Sequence, residues 1–375
     1  FYALGANTTG TSNTATGVHS LKDNTTGASN TASGRYALKL NTTAHNNTAS
    51  GYAALRQNTT GGSNAAIGKF ALRDNTTASY NTALGTAALE SNTTGHSNTA
   101  SGYGALNANT TANCNVAFGR NALGSNTTGT CNTAVGTRAL YATTTGNMNT
   151  AVGFCSLQAN TSGPRNTAIG MQVLASNTSG ASNTASGYKA MYATTSGAYN
   201  TASGQCSLHS NTTGCFNTAS GFQSLQANTT ASFNTAVGGC SLYANTTGAS
   251  NVAVGFASMC SNTTGDHNTA TGFMSLRENT TGYRNTVVGR SAMVANSTGY
   301  CNTASGYYSL NKNTTGVRNT AIGVASLLCN TTGSNNQGLG SFALRKNTTG
   351  HSNTGVGYAT GYNTSTGAHN VSVGH

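Results

Sequence analysis

Catalysis needs acids, bases or nucleophiles gathered at one point. The chain has five carboxylates and eight histidines, and they stand singly, with no pair or triad at a useful spacing. Its nine cysteines include no C-x-x-C motif and no His/Cys cluster of the kind that holds a metal. The sequence therefore predicts no catalytic residue, no metal ligand and no cofactor, and it argues against an enzyme. The chemistry that remains is modification. The triplet Asn-x-Thr/Ser accepts N-linked sugar. It starts at Asn7, Asn24, Asn41, Asn58, Asn75, Asn92, Asn109, Asn126, Asn160, Asn177, Asn211, Asn228, Asn245, Asn262, Asn279, Asn296, Asn313, Asn330 and Asn347. These are candidate glycosylation sites, a regular row of covalent glycans on Asn or on the following Thr. Asn46, Asn363 and Asn370 also begin such triplets. Asn and Thr equally suit a tight turn for reasons unconnected with sugar, and between residues 7 and 347 Thr143 and Thr194 replace the Asn in two units.

The element that carries these residues repeats every seventeen residues without insertion, as N-T-T-G-x-x-N-T-A-x-G-x-x-[AS]-L-x-x. A period this short and strict marks one small unit stacked in a line. With the Asn of NTT as position 1, position 7 is Asn in every unit (Asn13, Asn30, Asn47, Asn64, Asn81 and onward) and position 11 is always Gly. Position 9 is nearly always Ala, position 14 Ala or Ser, and position 15 Leu or Met. Positions 5, 6, 12, 13, 16 and 17 vary freely. Thr, Asn and Gly are weak helix formers, so the expected fold is all-β: a parallel β-solenoid of about 22 coils. Each residue would lie ~4.8 Å above its counterpart. The position-7 residues then form a structural Asn ladder that passes amide hydrogen bonds up the stack. Asn-Thr-Ala is no glycosylation triplet, so this Asn is expected to be structural. Gly at position 11 suggests a corner with φ above zero or a close backbone approach. Position 10 reads as a half-buried face, and the adjacent restricted positions 14 and 15 imply a bend. Residues 1–375 thus read as a single uninterrupted array without capping repeats, expected to be a window of a longer chain or covered at its ends by other subunits.

Composition narrows the partners. Charged residues make up 6% of the chain and the net charge of +12 is scattered over the coils, which does not suit nucleic acid. No apolar run long enough to span a membrane occurs. A single proline excludes collagen. Disorder is the competing reading of a Gly/Thr/Asn-rich chain, but the apolar positions recur too regularly for it. One Leu and one or two Ala per coil make a thin apolar interior, which predicts self-association into a homo-oligomer or head-to-tail polymer. A single solenoid held by ladder hydrogen bonds is the alternative.

The phrase Asn132-Thr133-Ala134-Val135-Gly136-Thr137-Arg138-Ala139-Leu140 resembles the head repeat of trimeric autotransporter adhesins (YadA-like heads). The whole unit resembles repeats of bacterial and viral tail-fibre-like surface proteins, and the resemblance covers essentially the entire chain. It implies a left-handed parallel β-roll, commonly a homotrimer, displayed on a cell or virion surface. This chain departs from the adhesin heads in its longer period and regular NTT turn, and it shows no neck, coiled coil or membrane anchor.

Three surface features complete the reading. Cys114 and Cys131 share position 6 in successive coils, a spacing that matches disulfide geometry, so they form a candidate disulfide pair. Lys22, Lys39, Arg56 and Arg73 occupy position 16 in consecutive coils, followed by Glu90, either a solvated edge or a stripe for anionic glycan or a neighbouring fibre. Of 26 aromatic residues, 15 fall at positions 12 and 13, suited to sugar stacking, lateral packing or corner packing. The expected function is a rigid, glycosylated extracellular fibre. The alternatives are an adhesin or tail-fibre-like shaft that recognises a carbohydrate or cell-surface receptor, and an ice-binding solenoid. Thr-Ala-Thr occurs only at Thr14–Thr16 and Thr269–Thr271, which disfavours a two-row Thr ice face.

Overall fold

The computed structural model describes residues 2–375, and it is all-β, with twenty-two strands of three residues, one per seventeen-residue coil, and no helix among the described residues. The coils form a parallel β-solenoid. They fall into two compact units, residues 1–184 and 185–375, built on the same plan. In the first unit Thr14, Ala15 and Thr16 lie opposite Thr31, Ala32 and Ser33, and Thr150, Ala151 and Val152 lie opposite Thr167, Ala168 and Ile169. In the second, Thr201, Ala202 and Ser203 face Thr218, Ala219 and Ser220. The strands pair in register at the period of the sequence, so each repeat position becomes a row.

The strand covers positions 8 to 10 only. Alternation along it turns Asn at 7 and Ala at 9 inward and positions 8 and 10 outward. Position 10, expected to be half-buried, is open to solvent: Ile67 is 46% and Leu84 48% exposed. No other element of its unit packs over that face, because the rest of the coil folds back on the opposite side. There the interior is filled by the Leu or Met at 15 and the Ala or Ser at 14, which are fully buried in coil after coil, as Leu140 and Ala139 are. Burying one such Leu is worth about 1.5–3 kcal/mol. A Ser at position 14 is tolerated because its Oγ donates to the position-11 carbonyl of its own coil, as Ser207 does to Gly204 at 2.8 Å.

The remaining residues close the coil by a backbone device. Positions 6, 13 and 15 are left-handed throughout, as in Ser29 (φ 59), Tyr36 (φ 65) and Leu38 (φ 48). A non-glycine residue in this region costs about 1–3 kcal/mol and persists only where its surroundings impose it. The imposition here is a ladder of hydrogen bonds to both neighbouring coils: Tyr36 N–H donates to Val18 O at 3.0 Å, and Leu38 N–H to Ala54 O at 3.0 Å. β-Branched side chains tolerate positive φ worst, and no Val, Ile or Thr stands at position 6, 13 or 15 of any coil. This is why an interior position that would accept Ile or Val by volume holds Leu or Met. The bend expected at 14 and 15 is this pair of left-handed residues, 13 and 15, flanking an inward residue.

Position 11 is more restrictive still. Gly136 has φ +130, and a Cβ placed on it would lie 2.6 Å from the carbonyl oxygen of Gly153 in the next coil. Position 4 is different. A Cβ on Gly129 would also crowd its surroundings, yet Ala44, Ala78, Ala112 and Ala231 occupy the equivalent site and are buried. At many of the position-4 glycines three successive N–H groups, such as those of Thr25, Thr26 and Gly27, converge on one carbonyl, Thr42 O, at 2.9–3.2 Å, although Gly61, Gly214 and Gly350 do not join in. Where it is Ala, as at Ala44, only the first of the three, Thr42 N–H to Thr59 O, is made.

These distinctions set an ordered series of substitutions. Gly136→Ala and Leu140→Ile are each expected to destabilise by about 2 kcal/mol or more, whereas Gly129→Ala and Leu140→Met are expected to cost under about 1.5 kcal/mol. Urea denaturation followed by circular dichroism reads the order. A Leu140→Ile variant as stable as Leu140→Met would remove the left-handed account of position 15.

Candidate functional surface

The candidate glycosylation residues lie in the interior. Of the nineteen candidate glycosylation sites, Asn7 is half-buried and the other eighteen, from Asn24 to Asn347, are fully buried. Their amides are committed to the stack. Asn58 Nδ2 donates to Asn41 Oδ1 at 3.0 Å in the preceding coil and to Gly61 O at 2.8 Å in its own turn. In the second unit Asn245 Nδ2 donates to Asn228 Oδ1 at 3.0 Å and to Gly248 O at 2.9 Å. Both amide hydrogens are used in this way except at Asn7, Asn160 and Asn211, where only the bond within the turn is made. An N-linked sugar on these Asn would replace one of those hydrogens and could not be housed in the coil. The NTT row is therefore corrected from a glycan row to an interior Asn ladder. The following Thr is also engaged, since Thr59 Oγ1 donates to Thr76 O at 3.1 Å.

The position-7 residues make a second ladder of different wiring. Asn47 N–H donates to Asn30 Oδ1 at 3.0 Å, and Asn64 N–H to Asn47 Oδ1 at 2.9 Å. Asn81 N–H donates to Asn64 Oδ1 at 2.9 Å, and Asn30 N–H to Asn13 Oδ1 at 2.9 Å. Here the side-chain oxygen pairs with the backbone of the next coil. The Nδ2 of each reaches the position-4 carbonyl one coil on, as Asn47 does to Gly61 O at 2.9 Å. Gly61 O thus accepts from both ladders, one N–H from Asn47 and one from Asn58, and Gly248 O does the same for Asn234 and Asn245. Position 4 joins the two ladders through a single carbonyl with both lone pairs in use.

The ladder also shows where it is broken. Thr143 stands where Asn is expected. Its Oγ1 and the Oδ1 of Asn126, one coil earlier, are buried without a hydrogen-bond partner. Asn347 Oδ1, whose next coil carries Thr364, is unpartnered in the same way. Each gap leaves a desolvated acceptor, which costs about 1–3 kcal/mol.

The candidate disulfide is corrected as well. All nine cysteines are free thiols, and Cys114 and Cys131 are exposed. Equivalent side chains in a parallel stack run side by side ~4.8 Å apart, whereas a disulfide draws its Cβ atoms to ~3.8 Å. Cys155 is buried, and that desolvation raises its thiol pKa.

The outer surface is organised in rows. Rings at position 6 stack at 4.9 Å for Tyr199–Phe216 and 5.3 Å for Phe216–Phe233. At position 12 Phe256 and Phe273 stack at 5.8 Å, and at position 5 Tyr283 and Tyr300 stack at 4.7 Å. The position-6 stack lies outside the sequence expectation for aromatics at positions 12 and 13, although its signal, aromatics one period apart, is present in the sequence. The basic stripe at position 16 is interrupted at Arg73, which pairs with Asp74 at 2.7 Å and with Glu90. Open grooves lie between such side chains, one lined by Arg120, Asn121, Arg138 and Tyr141. Among the described residues no cluster of His, Cys, Asp or Glu is arranged to hold a metal ion, and no helix is long and apolar enough to cross a membrane.

Two outcomes test the interior assignment. Thr143→Asn is expected to raise stability by about 1–3 kcal/mol, read from the denaturation midpoint, because it supplies a donor to Asn126 Oδ1; an unchanged or lower midpoint would count against the ladder. In a host that attaches N-linked sugar, glycopeptide mapping of the folded chain is expected to find sugar at the exposed Asn46 and none at Asn41 or Asn58. In comparison with known proteins, no family model and no curated protein matches this chain.

Proposed function

We propose that the chain is a structural protein, a stiff shaft built from stacked seventeen-residue coils and displayed outside the cell or on a virion, which associates laterally with copies of itself. The observation that carries this reading is the paired interior ladder: in each unit, two buried Asn in most coils are spent on holding one coil to the next. Stiffness follows from directional hydrogen bonds repeated every coil, because bending the stack would lengthen many of them together.

Self-association is supported by the strand face. Positions 8 and 10 carry no charged residue in any coil. In the first unit Phe118, Val135, Val152 and Ile169 form a row of consecutive exposed apolar side chains, each 37–47% exposed. Val237, Val288, Ile322 and Val356 are exposed at the same position in the second unit. A neutral face that repeats itself meets its own copy without like-charge repulsion, and depletion of charge is the compositional mark of an interface centre.

Two measurements test the proposal. Aligned samples are expected to give a strong reflection at ~4.8 Å along the long axis; its absence would sink the shaft. The double variant Val135→Lys/Val152→Lys is expected to lower the mass measured by light scattering, with circular dichroism unchanged. Unaltered mass in that variant would show that lateral contacts lie elsewhere.

A further inference from the structure

Charge is sparse on this chain, so a place where it accumulates without neutralisation needs an account. Tyr36 is such a place. Arg35 lies over its ring at 4.7 Å, Arg56 at 5.6 Å and Lys39 at 5.9 Å, and Arg35 also donates to the Tyr36 hydroxyl at 2.9 Å. Lys22 precedes Lys39 in the same row, and Lys69 lies over Phe70 at 4.9 Å. Asp23 is the one carboxylate before Asp74, and the ion pairs among the described residues are Arg73 with Asp74 and Glu90, and His267 with Asp266. Four of the five cations therefore lie over rings, Arg35, Lys39 and Arg56 on Tyr36 and Lys69 on Phe70, and none of the five is in an ion pair, although Asp23 follows Lys22 in the sequence. His19 senses the same field: desolvation, then the charges of Lys22 and Lys39, hold it below the ordinary histidine value.

The cations follow the stacking direction, position 16 in three successive coils, with the position-12 cations Arg35 and Lys69 beside them. At ~4.8 Å per coil they make a line, and a single small anion would use only a fraction of it. A linear polymer with negative charge on successive units would engage the whole line and gain from multivalency. The rings decide which polymer. Tyr2, His19 and Tyr36 stack at 5.6 Å with interplanar angles of 2° and 6°, so their faces are occupied by one another. Tyr52 meets Tyr36 and Phe70 edge to face. Nucleic-acid single strands bind through bases laid on open ring faces, and this row has few to offer. It offers ring edges, phenol hydroxyls and cations, which suit the hydroxyls and anionic groups of a sugar chain.

We propose that the basic row around Tyr36 is a binding site for a linear acidic polysaccharide, one bearing carboxylate or sulfate groups. The inference is independent of the shaft and its lateral contacts, since it concerns side chains away from the strand face. The test is titration of the full chain with a polyuronate and, separately, a sulfated glycan, against neutral dextran and single-stranded DNA of equal charge. Saturable binding of the polyuronate or the sulfated glycan, weakening as salt screens it, is expected, and the preferred arm identifies the anionic group. The double variant Lys39→Gln/Arg56→Gln is expected to bind about tenfold or more weakly with an unchanged thermal midpoint, while Arg318→Gln, at position 6 in the second unit, is expected to bind as the parent does. A second double variant, Lys22→Gln/Lys69→Gln, is expected to weaken binding in the same way should the first not fold. Equal affinity in the folded row variants, equal capture of DNA, or no binding of either acidic glycan would overturn the proposal.

Discussion

The fold rests on one interaction, the hydrogen bond from a buried asparagine amide to the coil beside it. An amide has two hydrogens and an oxygen that can accept twice. At position 1 both hydrogens are used, one on the neighbouring amide and one on the position-4 carbonyl, as Asn58 shows with Asn41 and Gly61. At position 7 the oxygen takes a backbone N–H and Nδ2 takes the same class of carbonyl, as Asn47 shows with Asn64 and Gly61. These bonds close only if successive coils have equal length. A one-residue insertion would slide six or more rows against their partners and strand buried acceptors in two ladders at once. The absence of any insertion in the repeat follows from that penalty.

This interior departs from the usual division of labour, in which apolar burial supplies stability and hydrogen bonds are merely satisfied. Most coils bury one Leu or Met and one to four Ala or Ser, together with two Asn. The net contribution of one hydrogen bond is only about 1 kcal/mol, but it is directional, and an unmade one is more costly than a made one is favourable. A column of Leu alone would accept neighbouring registers with little loss, whereas the Asn columns accept one. The same bonds hold sixty or so left-handed side chains in a region each would avoid alone. Leu sets how much is buried, and Asn sets where each coil must sit.

Much of this was legible. The seventeen-residue period gave the coil, the weak helix formers gave extended backbone, and the invariance of Asn at 7 and Gly at 11 marked them as framework. Two features were not read. Asn at position 1 carries the same triplet whether it bears sugar or is buried, and turn propensity gives it a third explanation, so spacing alone could not choose. Its inward direction comes from the turn that brings position 4 beneath it, a three-residue contact invisible to a pattern of polar and apolar letters. The left-handed positions also escaped notice, although their mark was present. Thr abounds at position 8 and Val and Ile recur at position 10, yet none of the three appears at 6, 13 or 15, and a missing residue class is less visible than a recurrent one. The thiols of Cys114 and Cys131 show the limit of distance arguments, because the ladder fixes the direction of a side chain as firmly as its height.

The outward rows follow a different logic from the interior. A side chain at position 5, 6, 12, 13 or 16 sits above and below its equivalents, so its nearest neighbours are residues seventeen positions away in each direction. Chemistry on this surface therefore accumulates along the stack: rings stack on rings, as Tyr199, Phe216 and Phe233 do, and cations line up, as Lys22, Lys39 and Arg56 do. Different positions meet locally, as at the groove lined by Arg120, Arg138 and Tyr141, while the ladder brings equal positions together along the stack. Recognition by such a surface depends on ligands that also repeat, whether another copy of the chain or a polymer of regular charge. Changing one row leaves the amide ladders intact, so a row can acquire new binding chemistry without cost to the fold that displays it.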